Sequence, residues 1–112
     1  MKLRLTAPAL CVGLMIAGTT LATAAPKAGD AAKGKEIAGE QCGVCHSTDS
    51  DEKKMGPALK GLFKKGKLKN GKPVTDASVK AVINAGGNGM PAYADMLSDE
   101  EKDNVIAFLK TI

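Results

Sequence analysis

Near the C-terminal end, Val105, Phe108, Leu109 and Ile112 fall at i, i+3, i+4 and i+7, the spacing that gathers apolar side chains on one side of an α-helix. Ser98 followed three residues later by Glu101 has the form of a capping box, so the helix is expected to start there. Val79, Val82 and Ile83 share a face between Thr75 or Asp76 and Gly86, which predicts a second helix with its start and stop signals. Asp30 is placed to cap a third, running from Ala31 towards Gln41 with Gly34, Ile37 and Ala38 on its inner side. That face is small, which allows another helix to come close. Strand patterning is nearly absent. Asn70-Gly71 has the composition of a small hairpin turn, but Lys and Gly dominate around it. No internal repeat is visible, and the domain reads as all-α with ordered loops over 47–73 and 86–97.

The first residues read as an address. Lys2 and Arg4 precede an uncharged run from Leu5 to Pro26, and Ala22-Thr23-Ala24 supplies the small-x-small pattern that a signal peptidase cuts. Residues 1–24 are expected to be a cleaved signal peptide and residues 25–112 the mature domain, exported to a periplasm. The competing reading is an uncleaved membrane anchor, for which Pro8, Gly13 and Gly18 make the run a poor spanning helix. A lipid-modified Cys11 is disfavoured by the large Leu10 before it. No stable membrane insertion is expected after cleavage.

Composition then sharpens the picture. Of 112 residues, 44% are apolar, but the aromatics number only Phe63, Tyr93 and Phe108, and Trp is missing. Little bulky side-chain volume is left to fill a core, and a chain this short often leans on a disulfide, a metal or a cofactor. Cleavage would also remove Lys2, Arg4 and Cys11, leaving two cysteines and a charge close to balance. A near-neutral exported domain without basic-aromatic interleaving is not a nucleic-acid binder.

The chemistry lies in Cys42-Gly43-Val44-Cys45-His46. C-x-x-C-H is the attachment pattern for haem c: each thiol adds across a vinyl group to form a thioether, and the adjacent imidazole ligates iron. Rival readings each lack a part. A thioredoxin-like pair needs a βαβ setting. A structural zinc needs a fourth ligand, and beyond these residues only scattered carboxylates are available. A Cys42–Cys45 disulfide closes too short a loop to stabilise much.

A low-spin carrier needs a second axial ligand, and Met opposite His is the pairing that raises the reduction potential. The candidates are Met55, Met90 and Met96. Met55 follows Cys45 too closely to wrap round to the far side of the ring. Met90 lies in Gly86-Gly87-Asn88-Gly89-Met90-Pro91-Ala92-Tyr93, where glycines permit backbone angles suited to close approach and Pro91 stiffens the exit. Met96 is near enough to exchange with it if the loop moved. The ordinary role of a methionine is to fill a core, and the loop setting favours Met90 as a ligand instead.

On these residues the stretch 30–112 resembles the class I c-type cytochromes, the small haem-wrapping carriers of bacterial periplasms. Gly56-Pro57-Ala58-Leu59 is similar to that family's Gly-Pro-x-Leu loop, which implies that the Pro57 carbonyl accepts the Nδ1 proton of His46. Asn88 to Tyr93 is similar to the methionine-ligand loop. Gly34 with Phe108 resembles the pair where the terminal helices cross. The resemblance implies three to four short helices wrapped around one covalent haem c, with His46 and Met90 on the iron and crossing N- and C-terminal helices. It departs from the pattern in lacking an aromatic near Ala38 and a Trp for a haem propionate, so the propionate partners stay unassigned.

Such a protein is expected to move one electron at a time between redox proteins, and not to act as an enzyme, since no carboxylate pair, activated nucleophile or phosphate loop is present. The alternative is a haem sensor or peroxidase-like enzyme whose sixth ligand is displaceable. Lys53, Lys54, Lys60, Lys64, Lys65, Lys67, Lys69 and Lys72 occur without an acid among them, while Asp95, Asp99, Glu100, Glu101 and Asp103 crowd the last helix. The acidic end suits a helix N-terminus. The basic stretch is either a solvated loop or a docking face for an acidic redox partner.

Overall fold

Asp30 starts the first helix by turning its side chain back onto the chain. In the computed structural model, which describes residues 29–112, Asp30 Oδ1 accepts from the Ala32 and Lys33 amides at 2.9 and 3.2 Å, satisfying donors that have no partner inside the helix. Helix α1 spans Ala31–Ile37 and runs on into a π-helical turn, Ala38–Cys42. The expected rod from Ala31 to Gln41 is therefore continuous but widens over its last turn, where the Gly43 amide reaches past four residues to the Ala38 carbonyl at 2.7 Å. Widenings of this kind recur at functional sites. The leader expected over residues 1–24 lies outside the described residues, among which no helix is long and apolar enough to cross a membrane.

Helix α2, Asp76–Ala85, is capped by Thr75, and helix α3, Asp99–Leu109, by Ser98. Both caps are reciprocal. Ser98 Oγ accepts from the Glu101 amide at 3.1 Å while the Ser98 amide donates to Glu101 Oε2 at 2.7 Å; Thr75 and Ser78 exchange the same pair of bonds at 3.1 and 2.9 Å. A short 3₁₀ turn, Leu62–Lys64, interrupts the long loop between α1 and α2. No regular strand forms among the described residues. The chain around Asn70-Gly71 makes one isolated antiparallel bridge, Lys67 to Pro73, a hairpin too short to count as a sheet.

Ala38, Val79, Ile83, Tyr93, Val105, Ile106, Phe108 and Leu109 form the buried core. Helix α3 supplies half of it because it is packed on more than one side: α1 lies against it, and so does α2. This explains why Ile106, outside the apolar stripe read from the sequence, is buried with Lys102 and Asn104. Asn104 Oδ1 accepts from the Asp30 amide at 2.7 Å, tying the start of α1 to the middle of α3. Gly34 makes the close approach possible, since a Cβ there would fall on the Asn104 carbonyl. The crossing thus centres on Gly34 against Asn104 and Val105 backbone, about a turn earlier on α3 than Phe108.

Candidate functional site

The π-helical turn delivers Cys42 at the end of a rod that is locked against α3. Beyond it the chain does not continue as helix: the Cys45 and His46 amides both return to the Cys42 carbonyl, at 3.1 and 2.9 Å. A tight turn on a fixed helix end therefore carries both thiols and the imidazole. Cys42 and Cys45 are half-buried and not bonded to each other, and burial pushes the Cys42 thiol up, which keeps it protonated near neutral pH.

The Gly56-Pro57 loop folds back over this turn. The Gly56 amide donates to the Cys45 carbonyl and the Leu59 amide to the Ser47 carbonyl, each at 2.8 Å, so the two bonds bracket His46 from either side. Between them, His46 Nδ1 lies 2.6 Å from the Pro57 carbonyl oxygen. A carbonyl can only accept, so Nδ1 carries the proton and the lone pair is left on Nε2. Gly56 stands under the ring, where a Cβ would fall on His46. One face of the imidazole is thus pressed on backbone.

Met90 sits on a different loop. Gly86, Gly87, Asn88 and Gly89 all have positive φ, a run that side chains other than Gly and Asn rarely adopt. Gly87 and Met90 exchange amide-to-carbonyl bonds at 2.9 and 3.0 Å around Asn88-Gly89, the sequence favoured by a turn with two left-handed residues. Tyr93 then anchors the far side of Met90. Its amide donates to the Ile83 carbonyl at 2.9 Å, and its hydroxyl reaches the Gln41 carbonyl at 3.0 Å, one residue before Cys42. The Tyr93 phenol is pushed up by burial first and by the nearby sulfurs of Cys42 and Cys45 second, so it remains a donor at neutral pH. Met90 is half-buried and packed on the core, whereas Met55 and Met96 are 83% and 60% exposed.

Sequence reasoning passed over two features of this site. Gln41 offers only its carbonyl, which no residue type signals. Lys102 reaches the Ala94 carbonyl at 3.1 Å, although a lysine on a helix ordinarily faces water.

The donor set fits a haem c. Two thiols and an oriented Nε2 leave one turn together, while among the described residues no group of three or more His, Cys, Asp or Glu could hold a metal ion. Leu59, Leu62, Leu68, Val74 and Met90 are apolar side chains packed on the core yet only partly covered, as expected where a large apolar macrocycle completes the interior. These features define a protein that carries one covalent haem.

Residues 29–109 match the family described as Cytochrome C oxidase, cbb3-type, subunit III. Among solved structures, the chain is similar to the cytochrome c6 crystal structure from the diatom Phaeodactylum tricornutum, with 30% sequence identity and a TM-score of 0.58 over 74% of this chain and 93% of that one. The chain belongs to the class I c-type cytochromes. Its fold is the cytochrome c fold, its cofactor is haem c, and its role is electron transport.

Proposed function

We propose that the protein is an exported one-electron shuttle whose haem iron is held by His46 and Met90, passing electrons between two redox proteins. The observation that carries this reading is the bond from the Tyr93 hydroxyl to the Gln41 carbonyl at 3.0 Å, which joins the methionine loop to the helix end bearing the attachment motif. When bound, the haem supplies an iron that alternates between ferrous and ferric states. The protein's own part is to hold both ligands still. Pro57 fixes the orientation of His46 and makes Nε2 a better donor. The turn at Asn88-Gly89 and the Tyr93 anchors fix the direction in which Met90 leaves the backbone. A ligand set that did not rearrange between oxidation states would keep the cost of electron transfer low, and with His46 and Met90 both committed to the iron no position would be left for a substrate.

The test is the spectrum of the purified ferric protein. A methionine-to-iron charge-transfer band is the expected result. A high-spin ferric form whose ferrous state binds carbon monoxide would instead favour a sensor or peroxidase-like role.

The proposed docking face is the basic loop between Lys53 and Lys72, whose eight lysines are all exposed. Lys54 Nζ reaches the Gly43 carbonyl at 3.3 Å, which sets a positive charge directly over the attachment motif. An acidic partner drawn to this loop would therefore meet the haem-bearing turn. Electron transfer to such a partner is expected to slow by about tenfold between low salt and roughly 0.2 M ionic strength, because exposed charges are screened within a Debye length. Stopped-flow rates across a salt series check this, and a flat profile removes the loop from docking while leaving the carrier role in place. Export follows from the leader expected over residues 1–24, with cleavage leaving residues 25–112 in the periplasm; the N-terminal sequence of the purified protein reads out the cut.

A further inference from the structure

Lys102 is only 3% exposed, an unusual place for an ammonium group. It projects from α3, and its Nζ donates to the Ala94 carbonyl at 3.1 Å, with Asp99 Oδ1 at 3.7 Å as the nearest opposite charge. Packing alone does not call for a charge here. Ile106 occupies the same stripe one turn later, a methionine would fill the same length, and burying an ammonium costs solvation that an apolar side chain does not. What the charge adds is a strong, directed bond to one carbonyl.

That carbonyl belongs to the segment between Met90 and α3, which forms no regular helix or strand. On its Met90 side the segment hangs from Tyr93, tied to Ile83 and Gln41. On its other side the Met96 and Leu97 amides return only to the Tyr93 carbonyl, each at 3.2 Å, so they bind the segment to itself and not to the body of the protein. The Leu97 side chain packs on the core, and the bond from Lys102 adds a hydrogen bond from α3 to the segment's own backbone.

We propose that Lys102 is a positioning residue for Met90: by clamping Ala94 to α3 it holds the methionine loop closed and sets how often the iron loses that ligand. This rests on Met90 being the second ligand. Opening of the loop is a local event, distinct from unfolding of the domain, and a ligand that competes for the iron binds only in the opened fraction. Removing the clamp enlarges that fraction.

The experiment is an imidazole titration of the ferric holoprotein, read in the visible spectrum, for the wild type, Lys102→Met and Lys80→Met. Lys80 pairs with Asp103 and Asp99 at 3.0 and 3.5 Å and does not touch the loop, so it reports the effect of losing a neighbouring charge. Lys102→Met is expected to bind imidazole about tenfold more tightly and to show a weaker charge-transfer band, while Lys80→Met behaves as the wild type. Lys102→Gln, which is shorter and neutral, gives the same answer should the Met variant fail to accumulate. Unchanged imidazole affinity in the Lys102 variants, with or without a drop in urea resistance, overturns the proposal, as does an equal rise in Lys80→Met. A wild type without the charge-transfer band overturns the ligand assignment itself, and the proposal with it.

Discussion

Truncating Met90 to alanine is expected to abolish the charge-transfer band, lower the reduction potential and open the ferrous iron to carbon monoxide. The direction follows from ligand chemistry, since a thioether opposite imidazole favours the reduced state. The size follows from the loop. Carbon monoxide reaches a six-coordinate iron only in molecules whose methionine has left. Opening must break the Tyr93 hydroxyl bond and the bond from Lys102, together about 3 kcal/mol, as well as the bond from the thioether to iron, so at most on the order of one molecule in a hundred is competent. Met90→Ala makes every molecule competent, so its affinity for carbon monoxide is expected to rise by at least about a hundredfold. Met55→Ala and Met96→Ala, at side chains that lie mostly in solvent, are expected to keep the wild-type spectrum. Loss of the band in Met96→Ala with its retention in Met90→Ala would move the ligand six residues along the chain.

Much of this arrangement can be read from the sequence because it rests on local rules. The caps at Asp30, Thr75 and Ser98 involve residues within three positions of each other, and so the helix starts follow from the sequence. The attachment motif is likewise local. The turn at Asn88-Gly89 is a different case: the same Asn-Gly signal occurs at Asn70-Gly71, and the pattern alone gives no reason to prefer one as a tight turn over the other. Both turn the chain. The 3₁₀ turn at Leu62–Lys64 has no start signal, since its first cap position is Gly61 with φ of 69° and no side chain to bond. The bonds that join distant parts are the least legible. Tyr93 to Gln41 spans 52 positions and Asp30 to Asn104 spans 74, and in each the acceptor or donor is a backbone group that every residue possesses. Burial of Lys102 runs against its type, and it is there that the structure adds most to the functional reading.

Gly34→Ala is expected to be the most destabilising of the conservative changes, by about 3 kcal/mol. Helix propensity alone has the opposite sign, because alanine is better than glycine in a helix interior by about 1 kcal/mol. The added methyl, however, would fall on the Asn104 carbonyl, a backbone atom of α3 that moves only if the whole helix moves. Overpacking of this kind typically costs about 1–3 kcal/mol. Separating the helices also stretches the bond from the Asp30 amide to Asn104, worth about another 1 kcal/mol. Gly39→Ala is the control: Gly39 is exposed with open space around its Cβ position, so stability should hold or rise. Urea unfolding of the ferric holoprotein, followed by circular dichroism, compares the two, and equal midpoints would show that α1 and α3 do not cross as closely as described. The crossing also couples stability to chemistry. α1 continues into the turn that bears Cys42, and α3 carries Lys102, which holds the loop of Met90. Pushing the helices apart therefore displaces one ligand relative to the other, and the Gly34→Ala variant is expected to lose charge-transfer intensity at urea concentrations where its helices are still intact.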